Sequence, residues 1–355
     1  MAYTTINKQT DYFRAKQYQG DGGSTNAITF DESTNMKPDF TWIKNVQSSQ
    51  RQCLTDIVRG TSYQLESSAS STQTNYNNSL TSFNTNGFTV GTDAATNKSG
   101  EGNISWNWLA GGSQGSSNTD GSINTTYTSV NTTSGISIST YAGNTTSGAT
   151  IGHGLGAVPN FIIIKNLGSA ENWVVYHSAI VNNTPPKFLN LNTDSAAAQQ
   201  AGVWNDTAPT SSVISLGNYG SVNESPDNYV CYAFAEKRGY SHFNYYTGNG
   251  NAKGSFCYTG FRPSMILVKK SEAQDQWNIY DNQRLGRNPY NNYLAANTNN
   301  GESSGNGDAN AIDILSNGFK MRGNGNAMNQ ANYQYVFAAF GQSIVGTNNV
   351  PCTAR

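Results

Sequence analysis

Large and small side chains alternate with a period of two residues along much of the chain. In residues 229–235, for example, Val230, Tyr232 and Phe234 fall on one side of an extended strand and smaller residues fall on the other. Residues 161–164 are apolar on both sides, which is typical of a central strand covered on both faces. These patterns predict β-strands that are buried within packed sheets.

Asn-Gly pairs punctuate the strand patterns, at residues 86–87, 249–250 and 317–318. Both residue types tolerate positive φ, which favours tight hairpins between antiparallel strands. Helical periodicity is missing from long stretches, and residues 195–201 are the one short helix candidate. The chain is therefore predicted to be all-β.

One signature occurs three times, and such internal repeats decide how the rest of a sequence is interpreted. Each copy has a Tyr-x-Gly element, then a proline that opens an apolar strand ending in lysine, then a closing strand of alternating bulk. The first copy comprises residues 18–20, 38–44 and 104–108. The second comprises residues 141–143, 159–165 and 230–234, and the third comprises residues 246–248, 263–269 and 336–340. From the proline to the last aromatic residue the copies span 108 − 38 = 70, 234 − 159 = 75 and 340 − 263 = 77 positions. This similar spacing predicts three homologous units, each a small antiparallel β-sandwich.

The domain organisation follows from this signature. We expect an N-terminal docking segment at residues 1–17 and a C-terminal tail at residues 342–355. Between them, three β-sandwich modules are expected at residues 18–110, 136–239 and 240–341. Residues 111–135 are rich in Gly, Ser, Asn and Thr, which predicts a flexible linker between the first two modules. Only residues 236–239 join the last two, which are therefore expected to pack as a rigid pair.

The composition favours a folded protein with a polar but uncharged surface. Charged residues make up 12% of the 355 residues, against about 25% in an average domain, while aromatic residues reach 11%. The net charge of −1 provides no basic face for nucleic acid and no polybasic membrane anchor. Residues 1–8 contain no apolar run, and no stretch is long enough to span a membrane as a helix. We therefore expect synthesis in a cytoplasm, no nucleic-acid partner and no membrane insertion.

The residue types that carry most enzyme chemistry are few and scattered. Four widely spaced cysteines lack the clustering of a zinc site and are expected to be free, mostly buried thiols: Cys53, Cys231, Cys257 and Cys352. A bridge between Cys231 and Cys257 is the one pairing to test. Three histidines lie at strand ends or in repeat motifs, where structural roles are expected: His153, His177 and His242.

Acidic residues are thinly spread. The loose group of Glu302, Asp308 and Asp313 lies in a loop rich in Gly and Asn, without the order of a calcium loop. Glycosidases need two carboxylates held about 5–10 Å apart, whereas the acidic residues of this group are loosely spaced. We therefore interpret the group as part of a solvated loop. The sequence therefore predicts no catalytic residue, no metal site and no cofactor.

Four aromatic residues fall in long loops outside the strand patterns: Trp204, Tyr219, Tyr290 and Tyr293. Sugar faces stack on aromatic rings while neighbouring amides bond the hydroxyl groups, so these residues are candidate saccharide ligands. The alternative is that they hold their own loops in place or fill contacts between subunits. The sequence leaves both interpretations open.

Several longer motifs resemble the repeated modules of tail-fibre and other virion proteins of marine phages, especially cyanophages. The resemblance is carried by residues 151–156, 158–161 and 172–177, by 234–236, 246–250 and 258–263, and in the first unit by 42–45, 56–60 and 82–88. It implies a concanavalin-like or jelly-roll sandwich and a place in the virion, and it implies no catalytic residues.

Together these observations predict a non-enzymatic structural protein on the surface of a phage particle. A tail-fibre or receptor-binding component is the first hypothesis, with other virion proteins and a host-surface saccharide as candidate partners. Fibre architecture in general suggests a homotrimer. A capsid decoration (head-fibre) protein and an envelope-polysaccharide depolymerase are the alternatives, and a host-derived lectin is disfavoured because no signal peptide is expected.

Overall fold

The computed structural model describes residues 4–304 and 309–343. In this part of the chain, helices are limited to a 3₁₀ turn at Gln9–Asp11 and three single-turn α-helices: α1 (Ala94–Asn97), α2 (Ala201–Trp204) and α3 (Asn326–Asn329). All other regular structure is β, and the named strands pair antiparallel, which confirms the all-β prediction. None of the helices described is long and apolar enough to cross a membrane.

The strands fall into three groups along the chain. Group 1 (residues 4–110) contains β1 (Phe13–Gln19), β2 (Asn26–Thr29), β3 (Phe40–Asn45), β4 (Cys53–Asp56), β5 (Tyr63–Gln64), β6 (Thr74–Asn75), β7 (Leu80–Asn84), β8 (Gly87–Val90) and β9 (Gly102–Trp108). Group 2 (residues 111–239) contains β10 (Tyr127–Asn131), β11 (Ile136–Ala142), β12 (Thr150–Gly152), β13 (Phe161–Asn166), β14 (Val174–His177), β15 (Lys187–Asn190), β16 (Ala198–Gln199), β17 (Val213–Ser215) and β18 (Asn228–Phe234). Group 3 (residues 240–343) contains β19 (Ser241–Thr247), β20 (Phe256–Tyr258), β21 (Phe261–Lys270), β22 (Trp277–Asp281), β23 (Asn292–Ala295), β24 (Ser303–Ser304), β25 (Ile312–Leu315), β26 (Gly318–Met321) and β27 (Gln334–Ser343).

Each group has one large and one small sheet. The large sheets have the orders β1-β9-β3-β4, β10-β11-β18-β13-β14-β15-β16 and β19-β27-β21-β22-β23-β24. The small sheets are β2-β8-β7, β12-β17 and β20-β26-β25, and β5 pairs with β6. The same inner order therefore recurs in the three large sheets: β1-β9-β3-β4, β11-β18-β13-β14 and β19-β27-β21-β22. The architecture is β-sandwich-like.

The inner strands of the large sheets are buried on both faces. In β18, Val230, Tyr232 and Phe234 point into a central hydrophobic cluster that all three groups share, whereas Cys231 and Ala233 point into the cluster of group 2 alone. Groups 1 and 3 have separate clusters of their own in the same way. The alternation seen in the sequence thus separates two cores, and the prediction that residues 161–164 form a covered central strand is confirmed, since all of β13 is buried.

Hydrogen bonds join all three pairs of groups, and three of them form a cycle. The indole Nε1 of Trp173 in group 2 donates to the backbone oxygen of Glu66 in group 1 (2.9 Å), and Trp277 in group 3 donates to that of Asn190 in group 2 (2.9 Å). The amide of Gln52 in group 1 donates to the backbone oxygen of Ala295 in group 3 (2.9 Å). The first and last groups are therefore joined as directly as neighbours in the sequence.

The Tyr-x-Gly element has the same structural role in each group. The hydroxyl groups donate to backbone oxygens at 2.6–2.7 Å, in the pairs Tyr18–Thr96, Tyr141–Val222 and Tyr246–Met328. A Cβ on the glycine would lie 2.2–2.3 Å from a backbone oxygen, in the pairs Gly20–Lys98, Gly143–Glu224 and Gly248–Gln330. Glycine is needed here because the backbones approach so closely.

The lysine that ends each proline strand caps the turn that follows. The ammonium groups of Lys44, Lys165 and Lys269 are buried and donate to the next residue's backbone oxygen at 2.6–2.8 Å. Burial lowers the pKa of each to about 8. These lysines are therefore part of the interior rather than of a charged surface.

The region predicted as a flexible linker is instead part of the group 2 structure. Strand β10 lies within residues 111–135 and pairs with β11, and Ile123 forms a parallel bridge with Ile151. Composition did not reveal this because short polar residues also form strands when a partner strand is available. The boundaries differ at the ends too: β1 begins inside the segment predicted for docking, and β27 extends to Ser343, beyond which residues 344–355 lie outside the described part.

Two local predictions had different outcomes. The Asn-Gly hairpins at residues 86–87 and 317–318 are confirmed, since they join β7 to β8 and β25 to β26. The helix predicted at residues 195–201 is displaced: residues 198–199 form β16, and α2 starts only at Ala201. Pairing with β15 keeps the earlier residues extended.

Candidate binding surfaces

Two of the four loop aromatics expected at the surface are buried, which corrects that prediction. Trp204 is 2% exposed because α2 turns its ring inward, edge-on to Tyr176 at 6.0 Å. Tyr290 is also 2% exposed, because its backbone forms a bridge with Ile312 and draws the ring into the group 3 cluster. Neither ring is available to a ligand in this structure.

The other two aromatics lie against their own loops. Tyr219 is 44% exposed, but its ring covers Gly202, where an added Cβ would lie 2.4 Å from it, and its hydroxyl accepts a hydrogen bond from Gln200. Tyr293 is half-buried beside Tyr280, with ring centroids 6.0 Å apart. The structure therefore does not bring the four predicted residues together into one site.

Two aromatic side chains on β20 are exposed side by side, at positions where the sequence did not predict a site. Phe256 and Tyr258 are 46% and 59% exposed, while Cys257 between them is buried. Across the small sheet they lie opposite Lys320 and Gly318 on β26. The Phe-Cys-Tyr order in the sequence could have predicted this exposure, because a small buried residue between two aromatic residues of a strand directs both rings outward.

The surface around these rings is mixed in character. The strand beyond β26 is β25, where Leu315 faces Gly318 and Asp313 faces Lys320. Because Gly318 has no side chain, the Phe256 ring lies close over it, and an added Cβ there would be 3.0 Å from that ring. We call Phe256, Tyr258, Leu315 and Lys320 the β20 face. It presents two aromatic rings beside a cation, which suits the stacking of a sugar ring or an apolar side chain.

The fold itself does not require aromatic residues at the β20 face. In group 1, Ile28 faces Phe88 as Cys257 faces Phe319 in group 3, so Ala27 and Thr29 correspond to Phe256 and Tyr258. Both are exposed, small or polar, and compatible with the same sheet. The rings on β20 are therefore additions to a scaffold that forms without them.

A second candidate surface is a groove of about 530 Å³ where groups 1 and 3 meet. We call it the seam groove; residues lining it include Lys8, Gln9, Thr10, Arg14, Ala15, Lys16, Asp31 and Glu32 from group 1, and Arg262, Ser264, Gln283 and Gln342 from group 3. At its edge Lys16 pairs with Asp31 (2.6 Å) and Lys8 with Glu32 (3.4 Å). The groove is polar and carries charges of both signs.

Comparison with known proteins identifies the family of this chain. The family described as "Domain of unknown function (DUF7483)" matches residues 8–343, which include every strand of the three groups. The chain belongs to this family. No curated protein and no solved structure matches it. We therefore infer the function of this DUF7483 chain from its own surfaces and interior.

Two buried carboxylate–guanidinium pairs belong to the interior of this DUF7483 chain. Asp56 pairs with Arg59 and Asp281 with Arg284, both at 2.6 Å and with side chains at most 3% exposed. The Asp56 oxygen that pairs with Arg59, Oδ2, also accepts a hydrogen bond from another group, because the hydroxyl of Tyr232 donates to it (2.6 Å). These pairs tie strand ends together and are closed to solvent.

Within residues 4–304 and 309–343, no cluster of three or more His, Cys, Asp or Glu side chains could hold a metal ion. In the loose acidic group, Glu302 pairs with Arg284 and Asp313 with Arg322, while Asp308 lies outside the described residues.

The cysteines described are free and buried. Cys231 lies in the group 2 cluster and Cys257 in the group 3 cluster, so the structure does not form the bridge that was left to test. Cys53 is likewise free, which confirms the expectation for three of the four thiols. Cys352 lies outside the described residues.

The histidines are held by neighbouring groups. His177 is buried where groups 2 and 3 meet: its Nδ1 accepts the N–H of Ala179 (3.1 Å) and its Nε2 lies 3.0 Å from the backbone oxygen of Phe337. This pattern requires a neutral ring with the proton on Nε2. Burial lowers the pKa of His177 to about 4, and it also lowers that of His153. His242 bonds Glu236 at 2.8 Å.

We expect this DUF7483 chain to lose stability as the pH falls from 6.5 to 4, partly through His177. The unfolded imidazole takes up a proton near pH 6.5 and the folded one only near pH 4, so acid favours the unfolded state across this interval, by roughly 3 kcal/mol at most. The measurement is urea unfolding at a series of pH values for the wild type and His177→Gln. The stability difference between them should shift in favour of the variant as the pH falls, and a constant difference would contradict the assignment.

Proposed function

We propose that this chain is a non-enzymatic structural protein of a bacteriophage particle, acting as a tail-fibre or receptor-binding component through its surface. The motifs that resemble marine-phage virion proteins support this, as does the low content of charged residues. Homotrimerisation stays a prediction from fibre architecture.

We also propose that the three groups are tandem β-sandwich modules of one repeated type. The recurring sheet order, the Tyr-x-Gly contacts and the buried lysines support this organisation. Cyclic hydrogen bonds between the groups support a single rigid body, on which surface residues vary without altering the scaffold. Whether the sandwiches are of the concanavalin-like or jelly-roll type stays a prediction.

The binding proposal rests on the exposed aromatic rings of the β20 face. Large aromatic side chains are costly to leave in water, and here the corresponding positions of group 1 are Ala27 and Thr29. The exposure of Phe256 and Tyr258 is therefore explained best by a ligand. Host-surface saccharide fits this face, because sugar CH groups stack on the rings while Lys320 and Asp313 offer hydrogen bonds to hydroxyl groups.

The double variant Phe256→Ala/Tyr258→Thr, which installs the group 1 residues, is expected to bind host-envelope polysaccharide at least tenfold more weakly than the wild type. Removing two stacking rings accounts for this loss, while stability should change by less than about 1 kcal/mol because the side chains are exposed. Binding is measured by biolayer interferometry on immobilised polysaccharide extracted from host cells. Tyr219→Ala is the matched control, since it removes another exposed ring.

Unchanged affinity of the double variant would contradict a binding role for the β20 face. The place of the protein in the particle is tested separately, by labelling purified virions with an antibody against residues 141–341. Label on the tail tip or fibres supports the proposal, and label over the head favours a decoration protein. Release of reducing sugar from the same polysaccharide would instead favour a depolymerase.

A further inference from the structure

The first strand of group 1 is an edge strand. Among the described strands, β1 pairs with β9 alone, and the N–H of Gly20 and the oxygen of Tyr12, at the two ends of β1, both bond to the strand-β9 side. Because antiparallel residues alternate between bonded and outward positions, the backbone groups of Ala15 and Gln17 point away from β9. Among the described residues, no hydrogen bond reaches the N–H of either one.

The corresponding edge in group 2 is covered by a strand. Counted back from the tyrosine of the Tyr-x-Gly element, Ile138 and Thr140 on β11 correspond to Ala15 and Gln17 on β1. Strand β10 pairs along this edge, with Ser129 opposite Ile138, and the N–H of Thr126 donates to the oxygen of Thr140 (2.7 Å). A short, polar, extended segment therefore fits beside this strand of the fold.

The corresponding edge in group 3 is capped by side chains. The carboxylate of Glu236, which precedes β19, accepts the backbone N–H of Phe243 (3.2 Å). The side-chain oxygen of Asn244 accepts the backbone N–H of Tyr245 (2.9 Å). The hydroxyl of Ser255 donates to the oxygen of Thr247 (3.0 Å). Occupying edge groups in this way is how proteins prevent strand pairing with other chains.

At the two ends of the β1 edge, the side chains of Gln9 and Asn26 donate to the outward oxygens of Phe13 (2.9 Å) and Gln19 (3.2 Å). Among the described residues, the stretch between them, at Ala15 and Gln17, has neither a strand nor a cap, and it lies beside the seam groove. The groove is about 530 Å³ in volume and is lined by Ala15 of β1 and by Arg262 and Ser264 of β21. The hydroxyl of Thr10, which also lines the groove, is a buried atom with no hydrogen-bond partner among the described residues. Both features are those of a site that a polar extended ligand completes.

The charges of the groove specify the ligand further. Four cationic residues line it, Lys8, Arg14, Lys16 and Arg262, against two acidic ones, Asp31 and Glu32. The surplus of positive charge favours a negatively charged segment.

We propose that the β1 edge and the seam groove bind an extended, acidic segment of another polypeptide chain, which adds to the group 1 sheet as a further strand. Main-chain hydrogen bonds to Ala15 and Gln17 would provide affinity, and the charged groove would provide specificity. This inference is independent of the proposed function, since it rests on a different surface and a different class of ligand.

The test uses the full chain and a synthetic peptide with the sequence of residues 125–133, extended by one Asp at each end. This peptide reproduces β10, the segment that occupies the corresponding edge in group 2, with added negative charge. Binding is followed by fluorescence anisotropy of the labelled peptide and by amide chemical shifts of the ¹⁵N-labelled protein. We expect shifts at Ala15 and Gln17, and weaker binding at higher salt.

The decisive variant is Ala15→Pro. Proline removes only the outward N–H, so the ladder with β9 stays intact and the fold should be retained. We expect peptide affinity to fall at least tenfold. Tyr245→Pro is the matched control, because it removes an outward N–H from the capped edge of β19, and its affinity should equal that of the wild type.

Two results would overturn this proposal. One is equal peptide affinity in Ala15→Pro and the wild type, or no shift at Ala15 and Gln17. The other is slow hydrogen exchange of these two amides in the chain without peptide. Slow exchange at every protein concentration would assign the edge to a segment of the same chain, and slow exchange only at high concentration would assign it to a second copy.

Discussion

Replacing Asp56 with alanine is expected to lower the free energy of unfolding by about 3–5 kcal/mol. The substitution leaves the guanidinium of Arg59 buried without its carboxylate, which lies 2.6 Å away in the native structure. It also removes the acceptor of the Tyr232 hydroxyl, so a contact between groups 1 and 2 is lost together with the ion pair. Equilibrium unfolding in urea, followed by circular dichroism, measures the effect.

The control for this prediction has the same spacing in sequence but a different environment. Lys98 pairs with Glu101 at the surface, so Lys98→Ala should cost less than 1 kcal/mol. The double variant Asp56→Ala/Arg59→Leu should recover part of the loss, because it no longer buries an unpaired charge. Equal losses for Asp56→Ala and Lys98→Ala would show that burial of the pair is energetically unimportant.

Trp173→Ala is expected to destabilise the chain by about 3–5 kcal/mol. The indole is fully buried in the central cluster, and its Nε1 donates to the backbone oxygens of Glu66 and Ala69 in group 1. The substitution therefore creates a cavity in the shared core and leaves backbone acceptors unpaired where two groups meet. The same urea experiment measures it.

Trp173→Phe separates packing from hydrogen bonding. Phenylalanine retains most of the buried ring but cannot donate to Glu66 and Ala69, so a smaller loss of about 1–3 kcal/mol is expected. A loss as large as that of Trp173→Ala would mean that the hydrogen bonds between the groups, rather than the filled core, dominate at this position.

Much of the local structure was predictable because it depends on near neighbours in the sequence. The alternation in residues 229–235 predicted the two faces of β18, and the Asn-Gly pair at residues 317–318 predicted a hairpin. The Tyr-x-Gly and proline-to-lysine motifs also marked true strands in each group. In these cases the side-chain period and the turn chemistry act over a few residues, so the pattern carries the information.

The candidate sites were less predictable because exposure depends on what packs above a residue. Trp204 and Tyr290 lie in loops, yet α2 and the bridge to Ile312 bury them. Phe256 and Tyr258 lie on a strand, yet they face outward because Cys257 takes the buried position between them. A loop assignment by itself therefore says little about access to a ligand.

The sequence by itself determined the all-β class, the threefold recurrence of its motifs and the period of the buried strands, because these follow from backbone sterics and from alternation along one strand. Only the tertiary structure decided which edges are covered, which aromatic rings reach solvent and how group 1 meets group 3. The meeting of groups 1 and 3 depends on contacts between residues more than 200 positions apart, such as Gln52 with Ala295, which no local pattern encodes. Covered edges and buried rings depend on which elements pack beside them, as β10 does beside β11. The seam groove belongs to this second class, whereas the outward direction of the rings on the β20 face also follows from the local alternation around Cys257.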